Sequence, residues 1–408
     1  MKNTIYVIMM VVMISASLYP QNINNTLGSG GSFTIKDGST TFLNLSQSTG
    51  NLTLNNCLYI PSTSSSGVGV IYIGGNRFLH NYGSNNTFVG INSGNFTTSS
   101  AGLNTAVGGY SLSSLTTGNS NSAFGCDALY YNTTGSANSA FGYNALVAVT
   151  TGSDNSAFGY QALSSNTGDY NSAFGFNALT DNTTGFDNSA FGRLALSSNI
   201  GGADNSAFGY EALSSNTTGS ENSAFGYSAG SNITTGSYNT CIGQGAQVPS
   251  ATSNNQVRIG DGNVTYAGVQ VSWTITSDKR LKSHIAGSQL GLDFISHLRP
   301  VSYIRKNDPK YKKEYGFIAQ EVEAVLKQYG AKNAGMITID DKGIYELRYN
   351  DLLAPMVKAI QDLKDQNDGL KKQMELMRAS IARQVRDEVR KAVSKNEGTK
   401  VSINDTKN

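Results

Sequence analysis

Ten times between residues 85 and 245 the chain returns to one short pattern, best seen in Asp154-Asn-Ser-Ala-Phe-Gly-Tyr-Gln-Ala-Leu-Ser-Ser-Asn-Thr-Gly168. Taking Phe as the reference, the repeats fall at Phe88, Val107, Phe124, Phe141, Phe158, Phe174, Phe191, Phe208, Phe225 and Ile242, most of them 17 residues apart. A second apolar pair recurs downstream, in Ala128-Leu129, Ala145-Leu146, Ala162-Leu163, Ala178-Leu179, Ala195-Leu196 and Ala212-Leu213. A period of 17 is too short for a helical hairpin and suits one coil of two short strands and two turns. Stacked coils would bury one column of Phe, from an Ala-Phe-Gly strand with a single inward side chain, and one column of Leu. Tyr143, Tyr160, Tyr210 and Tyr227 form a further stripe that packs between chains or faces outward. Proline is absent from Pro61 to Pro249, as expected where most backbone is committed to ladder hydrogen bonds.

Charge divides the chain a second way. Of 30 Lys and Arg, only Lys2, Lys36, Arg77, Arg193 and Arg258 precede Ser277, and no lysine lies between Lys36 and Lys279. Two different ways of being soluble imply two folds: an Asn/Ser/Thr/Gly-rich β part and a salt-rich helical part. The later positive charges are interleaved with acids, which argues against nucleic acid. Cys57, Cys126 and Cys241 have no metal-ligand spacing, and two of them are expected to fill small apolar slots in repeats. His80, His284 and His297 form no cluster, so neither a metal nor another cofactor is expected. In so Asn- and Thr-rich a chain, the Asn132, Asn182 and Asn232 sequons arise by chance.

Residues 1–20 carry Lys2, an apolar run from Ile5 to Ile14 and then Ser15-Ala16-Ser17, the layout of a secretory signal peptide. The other reading, an uncleaved anchor, is disfavoured by a run shorter than the roughly 20 residues that span a bilayer. Residues 21–84 read as a β-rich stem with strands near 32–35, 41–45 and 51–54, and 85–248 as the repeat array. Residues 249–276 read as a β connector whose last run, Val269 to Ile275, alternates like a strand and holds the only tryptophan. Beyond it, Leu290, Phe294, Ile295 and Leu298 fall at helical spacing up to Arg299-Pro300, and Val301–Ile304 is strand-like. Ile318, Val322, Val325, Leu326 and Tyr329 share a helix face, and residues 336–339 and 344–347 form a hairpin across Asp340-Asp-Lys-Gly343. In residues 351–390 a heptad places Leu353, Ile360, Asn367, Met374 and Ile381 at a, and Met356, Leu363, Leu370, Met377 and Gln384 at d. That pattern predicts a parallel coiled coil with Asn367 setting its register, against the alternative of a lone amphipathic helix. Residues 391–408 read as a disordered tail.

Two resemblances follow from these motifs. Asn-Ser-Ala-Phe-Gly-Tyr-x-Ala-Leu, with degenerate ends at Asn104–Gly108 and Asn239–Gly243, resembles the head repeats of trimeric autotransporter adhesins, which form a β-roll in three chains; the period there is shorter and a membrane barrel follows. Ser277-Asp-Lys-Arg-Leu-Lys282, Gly316-Phe-Ile-Ala-Gln-Glu-Val322 and Tyr349-Asn-Asp-Leu-Leu353 resemble, in order, the C-terminal intramolecular chaperone of endosialidase and other phage tail spikes and fibres. This second likeness implies an α+β chaperone domain over 277–350 that trimerises, aligns the fibre before it, and cuts itself off through a Ser-Lys dyad. The matching residues are Ser277 as nucleophile and Lys282 as base, with the cut between Thr276 and Ser277: a single-turnover autopeptidase with no external substrate. Asp278 and Arg280 are expected to cap or salt-bridge the first turn, and His284 to pack.

The expected protein is a secreted or cell-surface homotrimeric fibre or adhesin, a mainly β stacked roll followed by the chaperone domain and a trimeric coiled coil. It would meet a host-surface or glycan ligand, with no membrane contact beyond the signal peptide. A phage-type tail fibre or a glycan-binding adhesin with an uncleaved trimerisation domain is the alternative. An enzyme acting on external glycans is disfavoured, since the array has no clustered paired carboxylates.

Overall fold

The computed structural model describes residues 32–37, 40–46, 52–54, 60–66, 68–97, 102–306, 308, 310–331 and 335–404. The signal peptide at 1–20 and Cys57 lie outside them. The chain divides into two compact units after Ser62. In the first, the three stem strands expected from sequence pair antiparallel as β1 (Ser32–Asp37), β2 (Thr40–Ser46) and β3 (Leu52–Leu54).

The second unit opens with the antiparallel hairpin β4 (Ile71–Ile73) and β5 (Asn76–His80), which pairs with β6 (Thr87–Val89). From β6 the sheet turns parallel. It continues through β7 (Thr105–Val107), β8 (Ser122–Phe124), β9 (Ser139–Phe141), β10 (Ser156–Phe158), β11 (Ser172–Phe174), β12 (Ser189–Phe191), β13 (Ser206–Phe208), β14 (Ser223–Phe225), β15 (Thr240–Ile242) and β16 (Val257–Ile259). This is the stacked β-roll, but with one strand per coil rather than the two expected: the Ala-Leu side, whose leucines hold positive φ, runs as turns. It is longer at both ends than the repeats alone mark, because the β4–β5 hairpin and β16 belong to its sheet.

The Phe column does not point inward. Strand side chains alternate, and in each Ser-Ala-Phe strand the Ala is fully buried (Ala123, Ala140, Ala157, Ala173, Ala190, Ala207, Ala224) while Ser and Phe face outward. Only Phe88 is buried, because it is paired with Ala106; Val89, paired with Val107, takes the outward place. The half-exposed rings from Phe124 to Phe225 stack face to face, 4.5 to 5.1 Å apart and within 8° of parallel. That is the strand spacing itself.

The interior is instead filled by Ala, Leu and Asn. Asn104, Asn121, Asn138, Asn155, Asn171, Asn188, Asn205 and Asn222, one before each strand, are buried and ladder from coil to coil. Asn138 Oδ1 accepts the Asn155 backbone N–H (3.0 Å) and its Nδ2 (3.1 Å), and Asn155 Oδ1 accepts the Asn171 N–H (3.0 Å). A second, broken column runs through Asn166, Asn182, Asn199 and Asn216, in which the Nδ2 of Asn182, Asn199 and Asn216 each donates to the Oδ1 before it at 2.6 to 2.8 Å. Val149 and Ile233 interrupt it, which is why the buried Oδ1 atoms of Asn132 and Asn216 have no donor. Coils approach closely enough that a Cβ on Gly142 would sit 2.3 Å from the Gly159 carbonyl oxygen.

The inward leucines adopt left-handed backbone, φ +52 for Leu146 and +53 for Leu163. That conformation costs about 1–2 kcal/mol. Full burial of a Leu side chain is worth about 1.5–3 kcal/mol, and Leu146 N–H also reaches Ala162 O at 3.1 Å. Burial outweighs strain.

After β16 the chain is irregular: Val269–Ile275 forms no strand, since among the described residues no strand lies beside it to pair with. The C-terminal domain then assembles α1 (Leu292–His297), the antiparallel pair β17 (Val301–Ile304) and β18 (Lys313–Gly316), α2 (Ala319–Gln328), and the expected hairpin β19 (Ile337–Ile339) and β20 (Tyr345–Leu347). Phe294, Leu298, Val322, Leu326, Met336 and Leu352 form its small core. The long helix α3 (Leu353–Asn404) starts after one 3-10 turn and runs past Lys391, where a disordered tail was expected. Propagating an established helix costs far less than nucleating one.

Candidate functional site

Ser277 ends the irregular arm, and the next residues make a single 3-10 turn, Lys279–Leu281. Asp278 caps it: its Oδ1 accepts the Arg280 backbone N–H at 2.8 Å, and the Arg280 guanidinium returns to the same carboxylate at 2.7 and 3.1 Å. The Arg280 hydrogen bonds hold the Asp278 carboxyl below its usual range and the guanidinium above its own. Leu281 N–H bonds to Asp278 O and Lys282 N–H to Lys279 O, both at 3.1 Å. One turn therefore carries Lys282 back over Ser277, where Lys282 Nζ donates to Ser277 Oγ at 2.6 Å. The structure brings together the two residues that the resemblance pairs, and Asp278 and Arg280 have the capping and ion-pairing roles expected of them.

Both members of the pair are exposed, as is nearly all of residues 262–289. Thr276 lies on the exposed arm beside them. Along that arm Tyr266, Val269, Val271, Trp273, Ile275, Leu281 and Ile285 are between 57 and 85 % exposed. His284 does not pack: it is exposed, with φ +54, and its Nδ1 lies 3.2 Å from Ser283 Oγ. Its neighbours on the arm face solvent as it does, so there is no buried apolar surface beside it to pack against.

The other two motifs meet in the domain core. Phe317 N–H donates to Tyr349 Oη at 3.1 Å, while Val322 and Leu352 are buried together. Arg299 pairs with Glu321, and Asp362 on α3 accepts the Leu292 N–H at the start of α1 (3.0 Å). On α3 the heptad side chains face solvent: Leu353, Met356, Ile360, Leu363, Leu370, Met374, Met377 and Ile381 are 47 to 66 % exposed.

The thiols divide. Cys241 sits in the inward Ala column, and burial pushes it up to about 11. Cys126 fills no apolar slot; it takes the exposed place after the strand glycine, its Sγ 3.3 Å from Asp127 Oδ2. Among the described residues no group of His, Cys, Asp and Glu could hold a metal ion, and no helix is long and apolar enough to cross a membrane. The Asn before each strand is a structural residue that no motif in the chain announces on its own. The signal was its presence in every repeat.

Residues 277–331 match the family model described as chaperone of endosialidase. No curated protein and no solved structure matches the chain. The C-terminal resemblance thus stands for the domain that begins at Ser277, preceded by a β-solenoid.

Proposed function

We propose that this protein is an exported homotrimeric fibre whose C-terminal domain trimerises, guides stacking of the β-solenoid, and is then severed from it by cleavage between Thr276 and Ser277. The observation that carries this reading is the 2.6 Å contact between Lys282 Nζ and Ser277 Oγ at the first residue of the matched domain. Three unpartnered apolar surfaces support the assembly: the stacked Phe ladder, the arm around Trp273, and the heptad face of α3. A second and third copy of the chain would cover each.

Chemically, Ser277 Oγ attacks the Thr276 carbonyl carbon while Lys282 Nζ accepts the hydroxyl proton. The same proton goes to the departing Ser277 amine, and water resolves the ester, freeing Ser277 Oγ and the Thr276 carboxylate. In one chain Lys282 Nζ is exposed and donates to Ser277 Oγ. Burial of an ammonium favours its neutral form, so chains closing over the pair would switch Lys282 from donor to acceptor and tie cleavage to assembly. Slow, out-of-register stacking is the hazard of a repetitive parallel sheet, and a C-terminal trimer sets the stagger first.

Denaturing gels and intact mass of purified wild type, Ser277→Ala and Lys282→Ala test this. Wild type should give two fragments meeting at Thr276/Ser277 and both variants one full-length band; a full-length wild-type band sinks self-cleavage. The N-terminal mass of protein from the medium reports secretion and signal removal. A glycan-binding adhesin is the second reading, favoured by the exposed rail Tyr143, Tyr160, Phe176, Arg193, Tyr210 and Tyr227, stacked ring on ring or ring on guanidinium about every 5 Å. Loss of glycan-array binding in Tyr210→Ala would support it, and no binding by wild type would leave a purely structural shaft.

A further inference from the structure

The two ends of the solenoid are closed differently. At the first coil the outer edge of β6 is paired with β5, from the chain just before it. At the last coil β16 is the terminal strand of the sheet. There the inward column that runs through alanines to Cys241 ends in Arg258, which is in register with Cys241. Its Nε bonds to Gln247 O at 3.0 Å, and its two terminal nitrogens reach the Glu346 carboxylate on β20 at 2.8 and 3.1 Å. The hairpin turn grips the adjoining loop as well: Asp341 N–H donates to Pro249 O (2.8 Å), and Asp341 Oδ2 accepts the Ala251 N–H (3.0 Å).

We propose that the β19–β20 hairpin is a detachable cap on the last coil, with Asp341 and Glu346 as a latch that holds the C-terminal domain on the solenoid after the connecting arm is broken. An uncovered terminal strand invites edge-to-edge pairing, and an arginine ending the apolar column needs a counter-ion. The counter-ion is supplied by Glu346, 88 positions downstream, and the hairpin turn is hydrogen-bonded to the loop that leads into β16, which places the hairpin beside the terminal strand without pairing with it. The latch is polar and half-exposed, so it weakens with salt.

The test does not depend on self-cleavage. A site-specific protease sequence replaces part of the exposed stretch 263–270 in the full-length Ser277→Ala chain; the arm is cut and the fragments are followed by gel filtration at rising salt. The fragments should co-elute at low salt and separate at high salt. Glu346→Lys should raise their dissociation constant about tenfold, consistent with loss of a half-exposed bidentate pair, and Asp341→Ala should add to it. Arg258→Glu with Glu346→Lys should restore association. Circular dichroism confirms that each variant folds; should Arg258→Glu not fold, the single substitutions in the hairpin decide. Separation of the unaltered fragments at low salt, or equal retention in Glu346→Lys and Asp341→Ala, overturns the proposal.

Discussion

Replacing Asn155 separates the hydrogen-bond role of the Asn ladder from simple space filling. Its Nδ2 donates to Asn138 Oδ1, Ser153 O and Gly168 O, and its Oδ1 accepts the Asn171 N–H. In Asn155→Ala, Asn138 Oδ1 keeps the Asn155 backbone N–H, and Gly168 O keeps Asn166 Nδ2 at 2.9 Å. The buried Asn171 N–H loses its acceptor. One orphaned buried donor costs about 1–3 kcal/mol, and with the net loss of the other bonds the total is about 2–4 kcal/mol. Asn155→Asp restores an acceptor for Asn171 but turns an anion toward three oxygens, so at neutral pH it should cost more than alanine. That carboxyl would be held protonated in the folded coil, its folded pKa above its unfolded one. The Asp penalty is therefore smallest below the unfolded pKa and grows as pH rises. Unfolding rates in guanidinium, measured in a Ser277→Ala background, read this out. Alanine should unfold about tenfold to a thousandfold faster than the parent, aspartate faster still at pH 7, with the gap closing toward pH 4. An alanine variant as stable as the parent, or an aspartate variant no worse than alanine at pH 7, refutes the ladder as a stabilising element.

Val149→Asn fills the gap in the second column, giving Asn132 Oδ1 a donor. Relief of that orphan offsets the lost apolar burial to within about 1 kcal/mol, whereas Leu146→Asn, with no waiting acceptor, should cost above about 3 kcal/mol; equal penalties in denaturant titrations would contradict the column. Asp278→Ala should slow the appearance of the Thr276/Ser277 fragments, and Asp278→Asn, which keeps the cap acceptor, should recover much of the rate. Because Asp278 is depressed by Arg280, its cap is in force above the unfolded carboxyl pKa and lost as pH falls through the folded one, so the wild-type rate should fall in acid toward that of Asp278→Ala. Mass mapping after iodoacetamide should find Cys126 alkylated in the folded protein and Cys241 only after denaturation; early labelling of Cys241 would place it outside the core.

The period told the architecture, because a 17-residue return in register can only stack. It did not tell which side chain of Ser-Ala-Phe faces in. A large Phe beside a small Ala reads as core by hydrophobicity, but a narrow coil has room for Ala and Asn, and phenylalanines one strand spacing apart can stack outside. Left-handed Leu146 was equally hidden, since leucine carries no preference for that backbone and burial alone holds it there. The candidate pair was legible because a 3-10 turn needs only the local Asp278 cap to bring residues five apart together. The contact of Asp341 with Pro249 and Ala251 joins segments about ninety residues apart, and nothing local in either segment announces it.

The placement of Ser277 also constrains the order of events in the proposed assembly. The Phe ladder lies before it, the heptad face after it, and the Trp273 arm runs into it, so a cut made early would leave unassembled solenoid and trimerising helix on separate molecules. A pair preset for attack in the single chain would make that cut at once. In the single chain the hydroxyl and the amine are already 2.6 Å apart, but the amine is the donor of that hydrogen bond and both residues are exposed. In the proposed assembly the step left to supply is desolvation of Lys282 rather than a rearrangement. The arm that would supply it carries Val271, Trp273 and Ile275 within six residues of the serine, each at least 68 % exposed in one chain. Replacing Trp273 by serine should therefore leave the helix trimer intact by sedimentation yet slow cleavage, whereas a substitution on the heptad face such as Leu363→Asp should abolish both. Cleavage at full rate in Trp273→Ser trimers would show that the arm does not gate the base.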